Sequence, residues 1–248
     1  MTTLQILMPM GGLGTRFQEA GFDTPKPLIK VDGKAMVLKA LESFANLDCQ
    51  KKFIFVIRRE HVEKYQLDQK LLEQVPSAEI VILTSDTQGA VETCLAAKDR
   101  IGKENPLVVM DCDLYFESKE YLALLQQTLK NQDPKLGGGL LYFDSDLPRY
   151  SYAEIRNGLV TRTAEKVVIS NNALAGAYFF ASGKIFLDAA ETLMKHQIST
   201  TMKEYYLSLL YNIILEKGYS VKAAQIDSYY SFGTPEELKN YEEVTSKN

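Results

Sequence analysis

Along the first half of the chain, short apolar runs alternate with longer stretches whose apolar side chains recur every three or four positions. The runs are LQILMP (4–9), FIFVIR (53–58), EIVIL (79–83) and PLVVMD (106–111). They are apolar on both faces, as strands must be when helices cover both sides of a parallel sheet. The stretches between them, 36–47, 60–75 and 90–101, predict amphipathic helices. Strand and helix in alternation build right-handed βαβ units, hence a doubly wound, mostly parallel α/β sheet.

The second half has a different rhythm. Residues 137–144, 152–156, 159–165 and 173–181 read as strands with few helices between them. Arg156, Asn157 and Gly158 predict a tight turn joining two antiparallel strands. Helices follow at 183–195 and 202–218, the latter closed by Gly218. A strand is expected at 219–226. A last helix spans 234–244, with Thr234 as its N-cap and Pro235 at its first position. Tyr205, Tyr206, Leu209, Leu210 and Ile213 fall at helical spacing and are expected to pack in the core. No flexible linker separates the halves. The expectation is a single domain over residues 1–248, its later part adding a mixed β-lobe over the sheet edge. The tail VTSKN is expected to fray.

Composition changes this picture little. With 248 residues and 46% hydrophobic content, the chain can bury a sizeable core. A net charge of −4 lacks the basic footprint of a non-specific nucleic-acid binder, but leaves room for a local basic pocket. Cys49, Cys94 and Cys112 are widely spread, with no CxxC pair and no nearby histidine. That fits a reducing compartment rather than a disulfide framework or a thiolate metal site. The N-terminal apolar run is too short for a membrane span or signal peptide, so a cytoplasmic protein without membrane partners is expected. His61 and His196 lie on charged stretches and are expected to face solvent.

Candidate chemistry begins where the first strand ends. Met10 is followed by Gly11, Gly12, Leu13, Gly14, Thr15 and Arg16. In an open parallel sheet, ligands bind beyond the carboxyl ends of the strands. Glycines there let the backbone curl and turn N–H groups toward an anion. Arg16 can fork two donors onto phosphate oxygens. Lys26 sits between Pro25 and Pro27, which stiffen the chain around it. The spacing is neither that of GxxxxGK[ST] nor that of GxGxxG. A glycine turn beside a solvated lysine is the plainer reading; Arg16 and Lys26 following in this order favour a phosphate cradle. At the end of the fourth strand, Asp111 and Asp113 share a side if the strand persists, and offer hard oxygen ligands suited to Mg²⁺ on a triphosphate.

GGLGTRF followed by TPKPLIKVDGKAM resembles the signature of the sugar-phosphate nucleotidyltransferases. Gln88-Gly89, MDCDLYF, TAEKVVISNNALAGAYFF and SFGTPEELKNY extend the resemblance along most of the chain. It implies a Rossmann-like fold with a nucleotide-binding half (1–115) and an acceptor-binding half (116–248). The implied reaction joins a nucleoside triphosphate to a sugar phosphate or other small phosphate ester, with Mg²⁺, and releases pyrophosphate. Such enzymes supply activated precursors of cell-surface polysaccharide.

By this resemblance Arg16, Lys26 and Asp113 would be catalytic, and Asp113 would hold the metal. Met10, Gly11, Gly12, Gly14, Thr15, Gln88, Gly89 and Asp111 would bind the nucleotide. Glu165, Lys166, Asn172 (or Asn171) and Gly176 would bind the acceptor. The match departs from the family pattern in three places. Val167 replaces a proline. Ser151 stands where many sugar enzymes carry glycine. Ser231 replaces a second metal-binding aspartate, for which Asp227 is the nearby candidate. The acceptor therefore stays open between a hexose 1-phosphate and a smaller ester, such as a choline-phosphate-like or phospho-amino-acid compound. The base stays open among pyrimidines, and the oligomeric state between monomer and homo-oligomer. Two other readings stay open as well. One is a metal-dependent glycosyltransferase using Asp111-Cys112-Asp113. The other is an inactive nucleotide sensor, suggested by Ser231.

Overall fold

The structure is a computed structural model that describes residues 2–198 and 203–245. The first half runs β1 (Leu4–Met10), α1 (Thr15–Glu19), a small hairpin of β2 (Lys30–Val31) and β3 (Lys34–Ala35), α2 (Met36–Leu41) and β4 (Lys51–Arg58). It continues through α3 (Arg59–Tyr65), α4 (Leu67–Gln74), β5 (Glu79–Leu83), α5 (Ala90–Leu95) and β6 (Leu107–Met110). Then come β7 (Leu114–Glu117), α6 (Lys119–Lys130), β8 (Leu136–Asp144), β9 (Ser151–Arg156), β10 (Leu159–Glu165) and β11 (Asn172–Phe180). The chain closes with α7 (Gly183–Leu193), α8 (Leu207–Glu216), β12 (Ser220–Gln225), β13 (Ser228–Ser231) and α9 (Pro235–Thr245).

In the first half β5, β4, β1 and β6 lie side by side, all parallel. Alternate side chains of β1 enter different cores. Leu4, Ile6, Met8 and Met10 pack with side chains of α2, α4 and α6. Leu7, with Ile54 and Val56 of β4, packs with side chains of α5, α7 and α8. Helices thus cover both faces, which is why these strands carry no polar face. Each Leu or Ile buried this way contributes about 1.5–3 kcal/mol. Gln5 is the polar exception. Its amide meets Gly102 N (2.6 Å), Gly102 O (2.9 Å) and Asn105 O (3.2 Å), so its burial leaves no bond unmade.

The second half corrects the expectation of a mostly parallel sheet. The same sheet continues through β11, β8, β12, β10 and β9, and β9 pairs back onto β11 at Ala173–Tyr152. Among the described residues, five strand pairings of this sheet are antiparallel and four parallel. The lobe is therefore a small barrel continuing from β6, not a layer over an edge. For β9 and β10 the cause is connection length. β9 and β10 are joined by Asn157 and Gly158, with φ of 52° and 74°, a turn that only antiparallel strands can use.

Several predicted helices are shorter than their periodicity. The 60–75 stretch breaks at Gln66 (φ 53°) into α3 and α4. The 202–218 stretch becomes helical only at Leu207; residues 203–206 are extended or bent, and Met202 lies outside the described residues. Residues 246–248 of the predicted frayed tail also lie outside them. The last helix starts as predicted, at Pro235, with the Thr234 hydroxyl accepting from Glu237 N at 3.1 Å. His61 is not solvent-facing. It is 4% exposed, packs edge-on to Tyr65, and burial lowers its pKa so that it stays neutral.

Candidate active site

β1 and β6 are parallel neighbours, with Leu7 opposite Val109, so the segments after Met10 and Met110 emerge together at the carboxyl edge of the sheet. Gly14 opens α1 with φ 68°, and a Cβ there would come within 3.3 Å of Lys26 Cβ. Both the positive φ and the close approach need glycine. Lys26 begins a single 3₁₀ turn, Lys26–Leu28, after the extended Pro25. Its ammonium is ion-paired and hydrogen-bonded to Asp113 Oδ2. Burial works against the lysine charge, but Asp113, with Asp111 beyond it, outweighs that and raises its pKa. Among the described residues Asp111 has no such ion pair. Burial, then the charge of Asp113, pushes it up to about 7.

These groups frame a cavity of about 470 Å³, lined by Met10, Gly12, Gly14, Thr15, Arg16, Lys26, Asp111 and Asp113 among others. Arg16 is exposed there and makes no ion pair among the described residues. Three members of the predicted nucleotide set do not line this cavity. The Gly11 carbonyl accepts from Arg58 Nη1 at 2.9 Å, and Arg58 is in turn paired with Asp86 at 2.7 Å. The Gln88 carbonyl accepts from Tyr205 N at 2.8 Å. Gly89 precedes α5 against the backbone of Tyr205, where a Cβ would lie 2.7 Å from that residue's nitrogen.

A second cavity, of about 240 Å³, opens on the barrel side and shares Asp111 and Asp113 with the first. Glu165 and Gly176 line it, as do Arg149, Ser151, Tyr206, Tyr229 and Ser231. Glu165 Oε2 accepts hydrogen bonds from Ser151 Oγ and, at 2.8 Å, from Ser208 Oγ. Gly176 sits at the register shift of β11 with φ 63°. A Cβ there would lie 2.7 Å from Asp111 Oδ2, so glycine makes room for the shared carboxylate. Lys166 and Asn172 do not line this cavity. Lys166 Nζ donates to Tyr206 Oη at 3.0 Å and lies 4.6 Å over that ring. Asn172 Nδ2 donates to Ala153 O at 3.2 Å.

Asp227 is not brought to Asp113. It precedes β13, at the end of a ribbon whose other end is Ser231, opposite Leu114. Four residues of strand separate the two, roughly 13 Å. Its carboxylate accepts from Lys119 N at 2.8 Å, at the start of α6. Ser231 is the residue delivered to the site, because Phe232 N donates to Asp113 O at 2.7 Å. Ser231 Oγ donates to Glu237 Oε2 at 2.8 Å. Arg58, Arg149 and Glu237 were missed by sequence reasoning. A signal existed for the last two: Arg149 directly precedes the Tyr150-Ser151 departure, and Glu237 lies in the closing match.

A family model described as nucleotidyl transferase matches residues 5–224. Among curated proteins, the chain is 23% identical over 244 residues to the bifunctional protein GlmU of Campylobacter lari, covering 95% of this chain and 52% of that one. The chain thus spans about half the length of the curated relatives it matches. Among solved structures, it is similar to the nucleoside-diphosphate-sugar pyrophosphorylase from Vibrio cholerae. The TM-score is 0.81 at 23% identity, over 95% of this chain and 98% of that one. It is also similar to the inositol-1-phosphate CTP transferase from T. maritima. There the TM-score is 0.72 at 17% identity, over 100% and 96% of the two chains.

Proposed function

Because the chain belongs to the nucleotidyl transferase family, we propose that it joins a nucleoside triphosphate to a small phosphate ester and releases pyrophosphate. The observation that carries this reading is the meeting of two cavities at one pair of carboxylates, Asp111 and Asp113. The triphosphate occupies the larger cavity, beside Gly12, Gly14, Arg16 and Lys26. The acceptor occupies the smaller one, beside Glu165 and Gly176. Residues 1–115 and 116–248 then act as nucleotide-binding and acceptor-binding halves of one domain. Gln88 and Gly89 fit a role at the base end, where α5 begins.

An oxygen of the acceptor's phosphate attacks the α-phosphorus in line. As the new P–O bond forms, the bond to the β-phosphate oxygen breaks and pyrophosphate leaves with its electron pair. The attacking oxygen is already anionic near neutral pH, so the step needs no general base. The barrier is the approach of one anion to another. Arg16 and Lys26 lower it by positioning and neutralising the phosphates. Asp113 keeps Lys26 charged and aimed until phosphate oxygens share it.

Asp111 and Asp113 present hard carboxylate oxygens to both cavities, a donor set that fits Mg²⁺ completed by phosphates and water. Among the described residues no group of three or more His, Cys, Asp or Glu side chains could hold a metal ion, so the fit rests on this pair of carboxylates alone. When bound, the ion would supply further charge neutralisation on the triphosphate.

Among the described residues no helix is long and apolar enough to cross a membrane. We read the protein as a cytoplasmic supplier of activated precursors for cell-surface polysaccharide, using a pyrimidine triphosphate. The nucleoside-diphosphate sugar named for one similar structure and the inositol 1-phosphate named for the other make polyol phosphates the first acceptors to test. The test is a matrix of CTP, UTP and dTTP against glucose 1-phosphate, inositol 1-phosphate and phosphocholine, scored by pyrophosphate release. One pair should turn over, and Arg16→Ala should slow it by about 10²–10³-fold. No acceptor-dependent pyrophosphate, or an Arg16→Ala variant at wild-type rate, would contradict the reading.

A further inference from the structure

We propose that Arg149, held in place by Glu237 and Ser231, is the cation that seats the acceptor's phosphate. This inference rests on the two-substrate reading above and adds to it a specificity-determining residue.

The smaller cavity poses an electrostatic problem. Asp111, Asp113 and Glu165 all line it, and the incoming acceptor is itself an anion. Among the described residues, Arg149 is the only lysine or arginine that lines it. The lysine suggested by the sequence match does not line it: Lys166 sits behind the wall residue Tyr206, bonded to its Oη and resting over its ring. Lys26 is engaged by Asp113 and faces the larger cavity.

Arg149 is built into place. Its Nη2 donates to Tyr150 Oη at 2.6 Å and pairs with Glu237 Oε1 at 3.0 Å. The guanidinium lies 4.8 Å over the Tyr150 ring. Half of the side chain stays exposed, leaving N–H donors on the other edge of the guanidinium for a forked phosphate contact. Glu237 is fixed in turn. Its other oxygen accepts from Ser231 Oγ at 2.8 Å, and only 19% of its side chain is exposed.

This arrangement gives the serine a positive role. An aspartate at position 231 would set a second carboxylate against Glu237, and two like charges at that separation repel. A serine hydroxyl instead donates to Glu237 and leaves its far oxygen for Arg149. Ser231, Glu237 and Arg149 therefore act as a chain that carries a cation to the acceptor cavity. The opposing idea is an ordinary surface ion pair, which adds little to stability and nothing to binding.

The test compares wild type with Arg149→Ala, Arg149→Lys, Glu237→Gln and Ser231→Asp, each first checked for an unchanged melting temperature within a few degrees. With whichever pair of the substrate matrix turns over, Arg149→Ala should raise the acceptor KM roughly tenfold to a hundredfold and leave the triphosphate KM unchanged. Arg149→Lys should recover only part of that, because an ammonium cannot fork. Glu237→Gln and Ser231→Asp should raise the acceptor KM by smaller factors. An unchanged acceptor KM in Arg149→Ala, or equal rises for both substrates, would overturn the proposal. A second measurement does not depend on turnover. Isothermal titration of inorganic phosphate into wild type and Arg149→Ala should show one phosphate site fewer in the second than in the first. Equal binding by both, or none by wild type, would overturn the inference even if the enzyme turns over. Failure of every substrate pair, with Arg149-dependent phosphate binding intact, would instead count against the proposed reaction.

Discussion

The two cavities meet at the same carboxylates but are made in different ways. The larger one is built mainly from three short backbone segments, residues 9–17, 26–27 and 111–113, with Glu204 and Gly233 added from late in the chain. A turn after β1, a lysine between two prolines and a segment after β6 all emerge at the edge of parallel strands. The smaller one is assembled from strands of the barrel, and from residues as far apart as Arg149, Gly176, Tyr206 and Tyr229. The lesson is that a phosphate cradle is fixed by short-range backbone geometry, whereas an acceptor pocket is fixed by long-range register. The first should tolerate change in the barrel, and the second should not tolerate a shift of β11.

The largest effect expected from this contrast is at Lys26. Lys26→Met removes a cation from the larger cavity and leaves two carboxylates uncompensated. Steady-state kinetics should show kcat/KM falling by about 10²–10³-fold. A fall confined to the acceptor KM would break the assignment of cavities.

Next is Gly176→Ala. The left-handed φ alone costs about 1 kcal/mol or more, and the added methyl meets Asp111 Oδ2 and a Leu114 methyl, each at 2.7 Å. Urea unfolding should show a loss of about 2–4 kcal/mol, and both substrates should bind more weakly, because the displaced carboxylate belongs to both cavities. A loss of acceptor binding alone would show that the cavities are less coupled than the shared Asp111 implies.

Asp111→Asn tests the electrostatic cost of that shared group. The folded carboxyl is raised from its ordinary value near 3.8 to about 7. Its charged form therefore destabilises the native state by an amount that is absent below pH 4, grows between pH 4 and 7, and is constant above. The ligand-free Asn variant should be more stable than wild type by an amount that grows across the same window, to on the order of 2–4 kcal/mol. Melting temperatures measured from pH 4 to 8 check this. A gain that is flat with pH would contradict the sign.

The smallest effect concerns Arg58, which ties the glycine loop at Gly11 to Asp86 and does not line the smaller cavity. Arg58→Met releases the Gly11 carbonyl and should weaken triphosphate binding by roughly tenfold, in line with one hydrogen bond to a charged group. Acceptor binding, read by titration, should not move.

The same contrast explains what could be read from the sequence. The parallel half was legible because each strand is a continuous apolar run, and Gly14 and Lys26 are marked by local backbone needs. The turn at Asn157-Gly158 and the cap at Thr234 were legible for the same reason. The barrel was not. Nothing in the pattern of residues 152–181 says that β9 pairs with β11 as well as β10, and Lys166 followed a motif match into a position bonded to Tyr206. Asp227 failed as a partner for Asp113 because its β-ribbon register sends Ser231 to the site instead. His61 was read as exposed from its charged neighbours, yet it lies on the buried face of α3, edge-on to Tyr65.

The most direct test of the central claim is a crystal structure of the protein soaked with CTP and Mg²⁺. The account predicts triphosphate density along Gly12–Arg16, within hydrogen-bond reach of Arg16 and Lys26, with the α-phosphate facing the Asp111–Asp113 side toward the smaller cavity. Nucleotide bound elsewhere, with the glycine turn empty and Lys26 still closed on Asp113, would contradict it.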